Sequence, residues 1–308
     1  MFVSDAHCDT LYAIAIAHQS PDSCTVTREN LYLGQVGLQT FAMFAGPDGP
    51  QGTPYANARR MLSAIDQLPV PIARGKLPLE PPSDCLGILS CEGGEMFEGS
   101  IARFEELHSL ANFRMVALTW NHENEVGYPA NGSINLGLKP FGRTLLREMD
   151  QRGVLADVSH LNESGFWDVC EHAVLPPIAS HSNCRWLCDV PRNLSREQVR
   201  ALIDRQGFIG INFYSGFLRE DAPAHLEDVV RHIDTLCEMG AEHIVGFGSD
   251  FDGIDAWPAE LSSPACFPVL LKALSALGYT QSQLENIAGL NLWRILKRAE
   301  SVGRGGRS

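Results

Sequence analysis

The side chains of this chain best suited to chemistry are three histidines and three carboxylates that each follow a short apolar run. His7 and Asp9 close the segment DAHCDT, and Glu92 follows the run ending in Ser90 and Cys91 and precedes two glycines. His160 ends DVSH, His181 lies in SHSNCR, and Asp250 lies in GFGSDFDG. Alternate residues of a strand share a face, so His7 and Asp9 can point the same way while Cys8 points the other. An imidazole beside a carboxylate suits Zn²⁺, and a further carboxylate can give one oxygen to each of two ions. Neutral imidazoles at His160 and His181 are good ligands for the same metal. Asp250 can take a proton from an activated water and return it to a leaving amine. Each signal alone is weak. A lone His-x-Asp is usually incidental, a single strand-end histidine is usually a structural hydrogen-bonding group, and Asp252-Gly253 could make an Asx turn unaided. Together, at corresponding strand ends, they point to a binuclear metal site.

The elements that must position these groups read as alternating strands and helices. Candidate strands cover residues 2–7, 38–44, 86–91, 114–119, 154–158, 177–180, 208–213 and 244–248. They are apolar nearly throughout, as parallel strands buried on both faces are. Helical periodicity marks 141–152, the segment capped by Ser195, 226–239, 267–277 and 281–298, with glycine stops at Gly207 and Gly240. Such repetition predicts one α/β domain over 1–308, a (β/α)8 TIM-type barrel of the metal-dependent hydrolase kind, with 301–308 a frayed tail. The competing open, doubly wound sheet lacks its Gly-rich phosphate turn after the first strand. The Pro- and Gly-rich stretch 45–82 reads as an insertion over the barrel. Active sites of this fold lie at the C-terminal strand ends, where the candidate residues fall.

Composition excludes other classes. The formal net charge of −13 over 308 residues argues against nucleic acid, whose binding relies on Lys and Arg, and against anionic membrane surfaces. No apolar run approaches the roughly 20 residues of a membrane span. The N-terminus has no signal-like pattern. Nine cysteines without CxxC pairs suggest free thiols in a reducing compartment, so a cytoplasmic location is expected. Cys184 and Cys188 are one helical turn apart if that segment is helical, but two cysteines are a weak metal signal.

The motifs DAHCDT, SCEGGE, LTWNHEN, DVSH, SHSNCR, PRN, INFY and GFGSDFDG run from residue 5 to residue 253, and IAGLNLWRIL follows. In this order they resemble the renal (membrane) dipeptidase family, zinc metallopeptidases with an amidohydrolase-like barrel. The resemblance covers essentially the whole chain. It implies two Zn²⁺ per chain. His7 and Asp9 match the ligands of one, His160 and His181 those of the other, and Glu92 the carboxylate they share. It implies that Arg192 holds the substrate's C-terminal carboxylate, that Asp250 stands beside the scissile bond, and that Tyr214 lies in a pocket-lining motif. Animal members carry a substrate-contacting histidine where this chain has Trp120. Some bacterial relatives also read LTWN, and His122 lies two positions on.

The resemblance implies a dipeptidase, with dipeptides carrying a C-terminal D-residue among its substrates, and suggests a homodimer. Metal would lower the pKa of a water from 15.7 towards roughly 7 for attack on the amide carbonyl. A planar two-pronged guanidinium at Arg192 would favour dipeptides over longer chains. Two other readings stand beside this one. One is another hydrolase of the same superfamily acting on a lactone, cyclic amide or phosphoester, in which Arg192 has no carboxylate to hold. The other is a non-catalytic descendant, for which a lost ligand or a lost Asp250 would speak, and none is lost.

Overall fold

The computed structural model describes residues 1–47, 52–221 and 223–302. Eight parallel strands follow one another round a closed barrel: β1 Val3–Asp5, β2 Val36–Phe44, β3 Leu86–Glu92, β4 Met115–Ala117, β5 Leu155–Asp157, β6 Ile178–Ala179, β7 Phe208–Ile211 and β8 Val245–Phe247. Asp5 pairs with Phe247, so β1 meets β8 and the ring closes. Except for Phe44 and Leu86, the strand residues are buried, which is why the sequence shows apolar runs rather than alternation. The fold is therefore the expected TIM-type barrel. One rung joins Phe44, Glu92, Ala117, Asp157 and Ile178 across β2 to β6, and it sets the floor of the mouth.

Local chemistry fixes the helices of the outer ring. The helix Arg196–Asp204 opens with a full capping box, in which Ser195 accepts from the Gln198 amide and Gln198 accepts from that of Ser195. The helix Pro140–Arg152 starts on a proline and stops at Gly153, whose φ of 71° lies in the left-handed region. Gly240, with φ 94°, ends the turn after the helix Leu226–Glu238.

Three expectations need correction. Residues 45–82 are not an insertion over the barrel. Thr53 caps a helix, Pro54–Ala64, with Pro54 in its first turn. That helix packs against the helices Thr10–Ala15 and Ile101–Ala111 and supplies the outer layer between β2 and β3. The chain then returns along β3, where Gly87 exchanges backbone hydrogen bonds of 2.8 Å with Pro71 and Ala73. The segment 281–298 is not one α-helix. It runs as Gln281–Glu285, a π-helical turn Asn286–Leu290, and Asn291–Val302. Gly289 abuts the Phe2 carbonyl, where a Cβ would meet oxygen at 2.7 Å, so the turn is pressed onto β1. Ser301 and Val302 belong to this last helix rather than to a tail, and 303–308 lie outside the described residues.

Among the described residues no helix is long and apolar enough to cross a membrane. All nine cysteines are free, and the Cys184 and Cys188 thiols bond to backbone carbonyls of His232 and Gly216.

Candidate active site

The C-terminal ends of β1, β3, β5, β6 and β8 bring His7, Asp9, Glu92, His160, His181 and Asp250 into one buried cluster. β1 ends at Asp5, so His7 and Asp9 stand on the turn beyond it. Asp9 occupies the N-cap position of the helix Thr10–Ala15 but makes no side-chain cap bond, which leaves its carboxylate for the mouth. His160 and Asp250 have φ of 69° and 67°. Non-glycine residues rarely adopt that left-handed region, and strain of this kind gathers at functional sites. Gly253 is required by close approach, because a Cβ there would stand 2.1 Å from Asp9 Oδ2 and 2.9 Å from Asp250 Oδ1.

Glu92 spans the cluster. Its Oε1 is 3.1 Å from His160 Nε2 and 3.6 Å from His181 Nε2, and its Oε2 is 3.6 Å from His7 Nε2. His7 Nε2 also lies 3.4 Å from Asp9 Oδ2 and 3.7 Å from Asp250 Oδ1. Donor atoms of His7, Glu92 and His181 fall within 4.8 Å of one another, and so do those of His7, Asp9 and Asp250. The second trio is not the grouping expected from sequence: it brings Asp250 as near to His7 as a ligand would stand.

An outer layer of hydrogen bonds decides which nitrogens face inward. Ser180 Oγ donates its proton to Asp157, so His181 Nδ1, 2.7 Å away, must be the donor to Ser180. Asp157 also accepts from the Ser159 and Ser180 amides. Asn121 Oδ1 accepts from His160 Nδ1 at 2.9 Å. Both rings therefore turn unprotonated Nε2 atoms inward, and these meet at 2.9 Å with no hydrogen between them. Burial holds both imidazoles well below the usual histidine range, which keeps them neutral. His7 Nε2 and Asp9 Oδ1 are buried without any hydrogen-bond partner. At β8, Asp5 accepts from the Ser249 amide and hydroxyl, and Asn212 donates to Asp250 Oδ2 at 2.8 Å.

The electrostatics follow from crowding three carboxylates into a dry site. Burial, then the Asp9 charge, raises Glu92 above the ordinary carboxylate range, and burial likewise raises Asp250. Burial opposes a charge on His7, yet Glu92 and Asp9 raise it well above the usual value. Facing lone pairs, buried polar atoms without hydrogen-bond partners and surplus negative charge are together what a divalent cation would neutralise. The mixed imidazole and carboxylate set fits zinc.

The remaining predicted residues take different places. Arg192 is buried. One guanidinium nitrogen donates to the His181 carbonyl at 3.3 Å, Nε has no partner, and the group lies 5.3 Å over the Phe217 ring. Burial lowers it to about 10, while Asp250, Glu92 and Asp157 act to raise it. Tyr214 follows β7, its amide bonded to Asn212 Oδ1, with its ring 4.9 Å from that of Phe217. Trp120 is half-buried, its ring 6.3 Å from that of His160. His122 is exposed, its ring tilted against that of Trp120 with centroids 5.3 Å apart. Sequence reading missed Asp5, Asn121, Asp157, Ser180, Asn212 and Phe217. The signal for two of them was available, since Asp5 precedes His7 by two positions and Asp157 precedes His160 by three.

A parallel barrel with these buried imidazoles and carboxylates at its C-terminal mouth defines a metal-dependent hydrolase. Comparison with known proteins narrows the class. Residues 83–307 match the family described as Membrane dipeptidase (Peptidase family M19). The chain belongs to that family and is a metal-dependent peptide hydrolase. It is 38% identical over 216 residues to an uncharacterized protein of the pqqA 5' region of Klebsiella pneumoniae, covering 67% of this chain and 79% of that one. It spans about half the length of two uncharacterized dipeptidases of Schizosaccharomyces pombe. Among solved structures, a dipeptidase described as a metallo peptidase of family M19 superimposes with a TM-score of 0.87, at 25% identity over 96% of this chain and 98% of the other. A metallo peptidase from Rhodobacter sphaeroides, liganded with a phosphinate mimic of L-Ala-D-Ala, gives 0.86 at 25% identity over 97% and 99%. His7 and Asp9 precede the family match, and barrel closure is what brings them to it.

Proposed function

We propose that this chain hydrolyses the peptide bond of dipeptides with two zinc ions at the barrel mouth. His7 and Asp9 would hold one ion and His160 and His181 the other, with Glu92 available to both. The observation that carries the reading is the approach of two buried Nε2 atoms to 2.9 Å beside Glu92 Oε1, with both Nδ1 atoms already engaged, an arrangement that a bound cation would relieve. When bound, such ions polarise a carbonyl and make a water available as a nucleophile near neutral pH.

The chain's own groups do the rest. Arg192, with a free Nε and a buried charge, receives the substrate's terminal carboxylate. Asn212 holds Asp250 Oδ2, so Oδ1 faces the cluster as the atom that takes up and releases the proton passed to the leaving amine. Burial, by raising Asp250, lets it carry that proton near neutral pH. Trp120 lies beside His160 with His122 beyond it, and Tyr214 packs on Phe217, the ring under Arg192. The phosphinate mimic bound by the Rhodobacter sphaeroides neighbour supports substrates as small as L-Ala-D-Ala, including a C-terminal D-residue. The free thiols support a reducing, cytoplasmic setting. The test is a dipeptide panel, of both stereochemistries at the C-terminal position, assayed after chelation and after zinc restoration. Activity that zinc does not restore, or that appears only on lactones, cyclic amides or phosphoesters, would overturn the reading.

A further inference from the structure

Three half-buried aromatic rings from three separate elements form a continuous wall at the mouth. Tyr12 lies in the helix after β1, Phe44 is the last residue of β2, and Trp120 follows β4. Tyr12 and Phe44 have ring centroids 5.1 Å apart, and Phe44 and Trp120 4.6 Å. His122 extends the wall outward from Trp120. Phe44 shares its rung with Glu92, and Trp120 neighbours His160, so the wall borders the metal-ligand cluster directly. Partly open rings beside a buried polar cluster are what a ligand pocket uses to hold an apolar group.

The barrel decides which end of the substrate meets the wall. With eight strands in sequential order, β2 and β6 stand diametrically opposite. Arg192 comes from the loop after β6, and Phe44 ends β2. A dipeptide with its carboxylate on Arg192 and its scissile bond over Glu92 directs its first residue towards β2. An extended dipeptide is about 7 Å long, and Phe44 shares its rung with Glu92, so a scissile bond over Glu92 leaves the first side chain beside Phe44.

We infer that Tyr12, Phe44 and Trp120 form the pocket for the substrate's N-terminal side chain and select large apolar or aromatic residues there. The inference rests on the dipeptidase reading and adds the substrate class. It also predicts discrimination against acidic first residues, since none of the three rings offers a charged partner and a carboxylate buried against them would go uncompensated.

The test compares kcat/KM of the zinc-loaded protein for Phe-Ala, Leu-Ala, Ala-Ala, Asp-Ala and Ala-Phe. Wild type should prefer Phe-Ala and Leu-Ala to Ala-Ala by about ten- to a hundred-fold, since hydrophobic pockets discriminate on that scale. In Phe44→Ala and Trp120→Ala the ratio of Phe-Ala to Ala-Ala should fall about ten-fold, and Phe44→Leu should restore much of it. Tryptophan fluorescence supplies a readout independent of turnover: a phosphinate mimic of Phe-Ala should change it in wild type and not in Trp120→Phe. Dipeptide cleavage with a ratio that neither alanine variant alters, or a preference that follows the second residue, sinks this inference and leaves the dipeptidase reading standing. Failure to cleave any of the five sinks both.

Discussion

Asn121 Oδ1 lies 2.9 Å from His160 Nδ1, and this single contact dictates which face of the imidazole is turned to the site. Asn121 is itself part of a braced loop. Asn124, three residues on, accepts from the Val126 and Gly127 amides and donates to the Leu118 carbonyl and to Glu95. Partners that orient a ligating histidine typically account for 10–100-fold in metal affinity. Asn121→Ala should therefore weaken zinc binding by roughly that factor, read by competition with a chromophoric chelator, while Asn121→Asp, which keeps the acceptor oxygen, should retain most of it. Equal affinity in wild type and Asn121→Ala would show that the ring is held by the barrel alone.

Metal content offers a second check. His7, Asp9, Glu92, His160 and His181 are expected to bind two ions per chain. Protein purified without chelator and saturated with zinc should contain two equivalents by elemental analysis. Chelation should also lower the melting temperature, because a ligand that binds only the folded state stabilises it. A single equivalent at saturation contradicts the shared role of Glu92.

The barrel and the cluster were legible in the sequence for one reason: strands buried on both faces leave uninterrupted apolar runs, and the clustered histidines and carboxylates follow them at once. The outer polar layer was not. Asn121 sits within LTWNHEN and Ser180 directly precedes His181, but only the tertiary structure shows that each bonds the Nδ1 of a histidine in the cluster. The helix Pro54–Ala64 was hidden by the glycines and prolines around it, although Thr53-Pro54 is a helix start. The π-helical turn lies where Gly289 packs on Phe2, a contact between the two ends of the chain that no local pattern records.

Asp250→Asn separates two roles that the geometry brings close. Oδ1 is 3.7 Å from His7 Nε2, near enough for a ligand, whereas the proposed task is proton transfer. If the task is proton transfer, the variant keeps both metals, and kcat falls about 10²–10⁴-fold. Loss of one metal equivalent assigns Asp250 to coordination, and near-normal kcat removes it from the reaction.

His232 gives a pH signature away from the site. It is fully buried, accepts from the Cys184 amide through Nδ1 at 3.1 Å and faces the Leu218 carbonyl through Nε2 at 3.0 Å. Burial lowers it to about 4 from the ordinary 6.5, although the Leu218 contact opposes the shift. Between those values the unfolded chain binds the proton and the folded chain does not, so stability falls as pH falls through this window. His232→Gln removes the titration. The stability difference between wild type and variant should therefore shrink by about 2 kcal/mol from pH 7 to pH 5, measured by denaturant unfolding. A difference independent of pH would mean that His232 titrates normally, and one that grows as pH falls would mean that it is charged in the folded protein.

Arg192 carries the distinction between a dipeptidase and a generic amidohydrolase. Its charge is buried and leans on Phe217. One nitrogen donates to the His181 carbonyl, and Nε has no partner. A buried guanidinium held beside the reaction centre with an unused donor is suited to an anionic group on the substrate. A charge-assisted hydrogen bond contributes roughly 1.5–3 kcal/mol, so Arg192→Ala should lower kcat/KM for a dipeptide about ten- to a hundred-fold or more. Arg192→Lys should not recover it fully, because an ammonium cannot present two parallel donors. The decisive comparison sets a dipeptide against its C-terminal amide on wild type and Arg192→Ala. Wild type should strongly prefer the free acid, and the variant should lose most of that preference. A structural arginine would behave otherwise: its loss would lower stability and affect both substrates alike, leaving the acid-to-amide ratio as in wild type. If wild type cleaves acid and amide equally well, carboxylate recognition fails, and substrates lacking a carboxylate become the ones to screen.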